Sequence, residues 1–381
     1  MFGVYFTALL NIFSGFLRLH KNYVIPAFVG VPLNLVNMIA LILSAKTSLY
    51  ALAFGAVLAA ASQLVLLFPF VHTSGYRHQP ILNPKDENMR SMVVIALPVT
   101  VGASVNEFNV LVSRTLASGI AVGGISALNY AARLNGFVQG LFVVSITMVM
   151  YPMIAKMAAE GDLKGLKKSI SEAISIINLL IVPTTIGAMV FAKEIVVLLF
   201  GRGAFTPEAI DMTANSLFYY SIGMIAFGLR AILTRAFYAL QDTKTPMINA
   251  SIAVVLNIAL NLILSRYLGL GGLALASSIA ATVSVFLLFG ALRRKIGSFG
   301  LQEIGRSLAK ICLVAVLMGF VALWSSNFLR HVFSQNAALL MAIGVGVLVY
   351  VILIYFMKIP EVEQMVEALR NRVRGRSATG Q

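Results

Sequence analysis

The chain has 381 residues, of which 59% are hydrophobic and only 11% charged, against roughly 25% charged in ordinary soluble domains. That leaves too little polar surface to coat a water-soluble globule of this length, which excludes a disordered chain, a nucleic-acid module and a disulfide scaffold together. The net charge of +15 then reports orientation, because Lys and Arg collect in cytoplasmic loops of membrane proteins.

A spanning helix needs about 20 mostly apolar residues. Eleven stretches qualify or nearly do: 2–17, 25–44, 48–70, 91–117, 122–152, 169–200, 208–238, 247–267, 270–292, 306–327 and 335–357. They are too long for barrel strands and do not alternate, so the expected fold is an all-α polytopic membrane protein. The first stretch is short and starts at Met1 with neither a basic flank nor a small-residue cleavage site, so it does not read as a signal peptide. Alternate connections divide the cations unevenly. One set holds 21 Lys and Arg, including Arg18, Lys21, Lys156, Lys164, Lys167, Lys168, Lys244, Arg293, Arg294, Lys295 and the run Arg370–Arg376; the other holds Lys46, Lys193, Arg202, Arg266 and Arg330. This asymmetry predicts a multi-pass membrane protein with its C-terminus in the cytoplasm. The tail after Pro360 reads as a helix on the membrane surface or as a solvated charged helix.

The segment 18–70 resembles 238–290. Pro26 and Pro246 open equivalent spans, and Asn37 and Asn257 follow each at a spacing of eleven. Both copies have the same orientation, which predicts parallel repeats about an axis along the membrane normal. In that register the first half lacks three spans and part of a fourth, so the chain reads as N-terminally truncated by about 130 residues. The expected organisation is an N-lobe remnant at 1–70, a cytoplasmic linker at 71–90, a C-lobe at 91–292, a cytoplasmic loop at 293–305, a helix pair at 306–357 and a basic cytoplasmic tail at 358–381.

Ionisable residues inside spans are costly and usually functional. Arg133 lies well inside 122–152, near Asn129, Tyr130, Asn135 and Gln139. Its permanent charge and planar fork suit phosphate or pyrophosphate; the alternative is a structural ion pair with Glu107 of the preceding span. Glu107 itself could instead carry a proton. Arg114 either snorkels or faces the cavity, and Arg230 either lines the cavity mouth or anchors at the interface. Arg235 and Arg18 read as interfacial. Asn257 and Asn261 share a helix face and suit interhelical hydrogen bonding or an ion site. The candidate substrate-binding residues are thus Arg133, Arg230, Arg114, Glu107, Asn129 and Gln139. No metal site or cofactor is expected: the four histidines are scattered, Cys312 is alone, and no phosphate-binding loop, DxD pair or Ser/His/Asp set occurs. In FYALQDTKTP, Asp242, Thr243 or Thr245 can cap the helix opened by Pro246, and Thr206-Pro207 starts another.

The motifs FYALQDTKTP (237–246), LLFGRGAFT (198–206), NYAARL (129–134) and NYVIPAF (22–28) together resemble the MurJ/MviN family of lipid II flippases, within the MOP exporter superfamily. The resemblance implies fourteen spans in two lobes forming a V around a cationic cavity, of which about eleven are present here with the first lobe incomplete, and a groove for a lipid tail formed by 306–327 and 335–357. Arg133 matches the arginine of the eighth span. Gly136 stands where an acidic residue is often found one turn later, and Ser113, Asn257 and Asn261 lie near positions that hold cation-binding carboxylates in some relatives. The implied function is transport rather than enzymatic catalysis: outward translocation of undecaprenyl-pyrophosphate-linked peptidoglycan precursor (undecaprenyl-pyrophosphate-MurNAc-pentapeptide-GlcNAc) by alternating access, with membrane lipids and the cell-wall synthesis machinery as partners and no nucleic acid. The alternatives are another MOP-type exporter, of polysaccharide lipids or of drugs and cations, or an inactive truncated remnant. A membrane glycosyltransferase would need an acid or base in an outer loop, and those loops are short and acid-poor.

Overall fold

A computed structural model describes residues 2–20, 22–76 and 87–357. The expected basic tail and the middle of the 71–90 linker lie outside the described residues. Among the described residues every regular element is helical: α1 (Phe2–Leu19), α2 (Val24–Phe28), α3 (Gly30–Ser44), α4 (Leu49–Thr73), α5 (Glu87–Ile120), α6 (Gly124–Val138), a π-helical turn (Gln139–Val144), α7 (Ser145–Ala159), α8 (Leu163–Val190), α9 (Ala192–Phe200), α10 (Pro207–Ile222), α11 (Met224–Ala239), α12 (Lys244–Ile296), α13 (Leu301–Leu329) and α14 (Gln335–Phe356). They fall into two compact units, Met1–Met92 and Val93–Gln381.

Among the described residues seven helices are long and apolar enough to cross a membrane, or eight if the pair α10–α11, bent by 47°, is one span. The expected count of eleven differs for local reasons. Two expected spans, 247–267 and 270–292, are limbs of α12, broken at Gly269 (φ 57°, ψ −131°), a backbone state that glycine adopts without a Cβ clash. The stretch 2–17 forms the short apolar helix α1, and 91–117 lies within the 34-residue α5.

In the first unit, Leu17, Val29, Leu67 and Val71 form the buried centre. Gln63 of α4 donates to the carbonyl of Val29 (3.2 Å) at the break between α2 and α3. The second unit is built around α8. Leu166, Ile170, Ala173, Ile174, Ile177 and Ile181 recur at three- and four-residue spacing and are buried against α7, α11 and α13. Large apolar side chains such as Phe54, Val65, Trp324 and Phe328 are exposed, as expected where the solvent is lipid. Lipid removes the hydrophobic drive between helices, so close packing at small residues must hold them together. Gly228 shows this: a Cβ there would lie 2.7 Å from Ile181 Cδ1. Gly319 meets Ile186 Cγ2 at the same distance.

Pro183 inside α8 has no N–H, which leaves the carbonyl of Leu179, four residues earlier, without its helical donor. The Tyr350 hydroxyl of α14 donates to that carbonyl at 2.7 Å. A proline defect in one helix is thereby the docking point of another.

Candidate functional site

Arg133 sits on the face of α6 opposite its packed side. Gly124, Ala127, Leu128, Ala131 and Asn135 are buried, whereas Asn129, Arg133 and Gly136 are exposed at helical spacing. The ion pair of Arg133 with Glu107 considered from sequence does not form. Both side chains are exposed, and neither belongs to an ion pair among the described residues. An exposed guanidinium in the middle of an apolar helix must face water or a polar ligand, because facing hydrocarbon would be costly.

Helix α5 presents two faces. Glu107 and Arg114, two turns apart, line an open cleft of about 350 Å³ with Ser104, Phe108 and Leu111. On the other face, Ser113 Oγ accepts from Asn261 Nδ2 (3.0 Å), Asn261 also donates to Asn257 Oδ1 (2.9 Å), and Asn257 donates to Ser277 Oγ (3.2 Å). This neutral amide–hydroxyl chain ties α5 to both limbs of α12, so the two asparagines serve interhelical hydrogen bonding. Ser277 escaped the sequence reading: a serine in an alanine-rich run carries no period that distinguishes a partner from a filler.

Arg230 is placed apart from Arg133. It lines a polar cavity of about 500 Å³ within the second unit, with Asn109, Thr234, Tyr238, Asn257, Ser277 and Ser284 among the walls. Its guanidinium carbon stacks 5.7 Å from the Phe227 ring centre. Arg235 sits similarly over Tyr151 at 5.6 Å. Gln139 opens the π-helical turn and donates to the Met224 carbonyl at 3.0 Å, bracing the bend between α10 and α11. On the other side of that bend, Ser278 donates to the Tyr219 carbonyl at 2.7 Å. A separate apolar cavity of about 560 Å³ lies among α6, α8, α13 and α14, lined by Leu134, Phe137, Pro183, Met318, Val347 and Tyr350.

An all-helical arrangement, among the described residues, with several helices long and apolar enough to cross a membrane defines the class of polytopic membrane proteins. Residues 1–344 match the family model described as Lipid II flippase MurJ, and the chain belongs to that family. It is 32% identical over 308 residues to the probable lipid II flippase MurJ of Vibrio cholerae serotype O1, covering 78% of this chain and 58% of that protein. It is 32% identical over 280 residues to the Haemophilus influenzae protein of the same name, covering 72% and 54%. The chain therefore spans less than two thirds of the length of these relatives. A solved structure of lipid II flippase MurJ in an inward closed conformation superposes with a TM-score of 0.77 at 26% identity, over 92% of this chain and 71% of that one. An inward-facing multidrug resistance MATE family transporter of the MOP superfamily matches in fold, with a TM-score of 0.66 at 14% identity over 77% and 69%.

Proposed function

We propose that this protein is a lipid II flippase that moves undecaprenyl-pyrophosphate-linked peptidoglycan precursor outward across the bacterial inner membrane, its C-terminus in the cytoplasm. The observation that carries the reading is Arg133, a permanent cation without a counter-ion among the described residues on an open face of α6, in a chain of the MurJ family. A guanidinium offers two parallel N–H donors to adjacent phosphate oxygens, which fits a pyrophosphate better than a point charge would. Asn129, one turn earlier on the same face, supplies neutral hydrogen bonds. Glu107 and Arg114 in the α5 cleft supply both polarities for the sugar–peptide part. The apolar cavity between α6, α8, α13 and α14 supports accommodation of the lipid chain. Gln139 acts by bracing the α10–α11 bend. Translocation would proceed by two parallel-repeat lobes rocking about the shared site.

The test is growth of a strain depleted of its own lipid II flippase and supplied with this protein. Arg133→Ala is expected to abolish rescue at an unchanged protein level, and Arg133→Lys to rescue weakly, since an ammonium cannot present the planar fork. Normal growth with the alanine variant would remove the pyrophosphate role.

A further inference from the structure

We propose that the Arg230 cavity is a second anion site, distinct from the Arg133 face, and that it takes the monoanion of a phosphate or phosphomonoester. The argument starts from α11, where Phe227, Arg230, Thr234 and Tyr238 line one face at helical spacing. Arg230 lies eight residues before Tyr238, about 12 Å along the helix by its rise per residue, which is beyond the reach of a guanidinium snorkelling to the helix end. Its side chain makes no hydrogen bond or ion pair among the described residues; its one contact of that kind is the Phe227 ring. Among the described residues no carboxylate lines the cavity. A cation kept in such a place calls for a counter-ion.

Two further atoms select the ligand. Ser284 on the second limb of α12 and Asn109 on α5 line this cavity, and Ser284 Oγ and Asn109 Oδ1 are buried with no hydrogen-bond partner among the described residues. Ser284 can donate to an anion oxygen, and Thr234 and Tyr238 bring further hydroxyls. Asn109 Oδ1 is an acceptor and would repel a fully deprotonated anion. A phosphate monoanion resolves this. Its charge matches one guanidinium, two of its oxygens fit the Arg230 fork, and its remaining O–H can donate to Asn109 Oδ1. Sulfate lacks that proton. The site should therefore prefer phosphate to sulfate and weaken as pH rises past the second phosphate pKa, near ~6 for a phosphomonoester. This inference does not rest on the lipid II reading, because Arg230 and Arg133 lie in separate places.

The experiment is calorimetric titration of the purified full chain with inorganic phosphate near pH 6 and pH 8, with sulfate as comparison and dihexanoyl phosphatidic acid as a second arm. Saturable binding, tighter at the lower pH and tighter for phosphate, is expected. Arg230→Gln should weaken it at least about tenfold, Arg230→Lys less, and Ser284→Ala several-fold, while Arg202→Gln, in the exposed α9–α10 turn, leaves it unchanged. Ser284→Ala removes a single oxygen and decides the matter even where Arg230→Gln does not fold. Phosphatidic acid competing at the site identifies a lipid headgroup as the source; phosphate binding without such competition identifies a free phosphate. Absence of binding, equal affinity for sulfate, or loss with Arg202→Gln but not with Ser284→Ala would overturn the proposal.

Discussion

Arg133 and Arg230 carry the same charge and differ in sequence only by their depth in a span, yet one lies on an open helix face and the other lines a cavity. The difference comes from neighbours far away in sequence, Ser284 and Asn109 among them, which no local window contains. Asp242 shows the opposite case, where a local motif was legible and a distant partner completed it. Its carboxylate accepts from the Thr245 N–H (3.0 Å) and hydroxyl (2.9 Å), capping the start of α12, and from Lys295 Nζ (2.7 Å) at the far end of that helix. The Lys295 hydrogen bond first, and the cap second, hold its pKa at about 2, below its usual 3.8. A depressed carboxylate stabilises the fold above its unfolded pKa, and that stability is lost as pH falls toward the folded value. Thermal unfolding in detergent should therefore show a loss between roughly pH 4 and pH 2 that Asp242→Asn removes in part. The variant should also be less stable at neutral pH, and less sensitive to salt because Lys295 is partly exposed. An unchanged acid limb in Asp242→Asn would assign the acid sensitivity to other carboxylates.

At the scale of elements, the helices were legible because long apolar runs admit few other structures in lipid, and the Thr206-Pro207 start appears as a capped first turn, with Thr206 accepting from the Ala209 N–H at 3.3 Å. Breaks within the runs were not legible. The π-helical turn at Gln139–Val144 and the bend at Gly223 lie inside continuous hydrophobicity, and hydropathy averages over the dihedrals that distinguish them, whereas the break at Gly269 falls between the expected spans 247–267 and 270–292. Gly223 had no visible role until Ser278 was placed against it: an added Cβ would lie 2.7 Å from the Ser278 Cα. The proline in α8 was equally silent about its partner. Tyr350→Phe deletes the donor to the Leu179 carbonyl and should cost about 1 kcal/mol of stability in detergent. Pro183→Ala restores a helical N–H to that carbonyl, so Tyr350→Phe should cost clearly less in that background. The double-mutant cycle reads this coupling directly; equal costs in both backgrounds would mean that Tyr350 acts by packing alone.

For the second unit as a whole, polar contacts sort the helix ends into two sets. Asp242 pairs with Lys295, and Lys310 Nζ donates to the Met357 carbonyl at 3.2 Å. A Cβ on Gly297 would lie 3.4 Å from Lys167 Nζ. The ends near 167, 242, 295, 310 and 357 therefore share one side. On the other, Lys193 pairs with Asp211 and Arg330 with Glu194, each at 2.7 Å, joining the start of α9, α10 and the α13–α14 turn. These contacts were not used in counting charges, yet the ends they join follow the same partition: Lys167, Lys295 and Lys310 of the cation-rich connections fall in the first set, Lys193 and Arg330 of the cation-poor ones in the second. Two independent divisions of the chain agree because both follow from helices that alternate in direction. The positive-inside rule then assigns the first set to the cytoplasm. The test uses the single native cysteine replaced, Cys312→Ala, with Glu160→Cys in the α7–α8 turn or Arg202→Cys in the α9–α10 turn. A membrane-impermeant thiol reagent added to intact spheroplasts should label position 202 and reach position 160 only after lysis. Labelling of 160 in intact spheroplasts would invert the protein in the membrane. An outward-directed path for an anionic lipid would then have to be drawn from the opposite end of the Arg133 face.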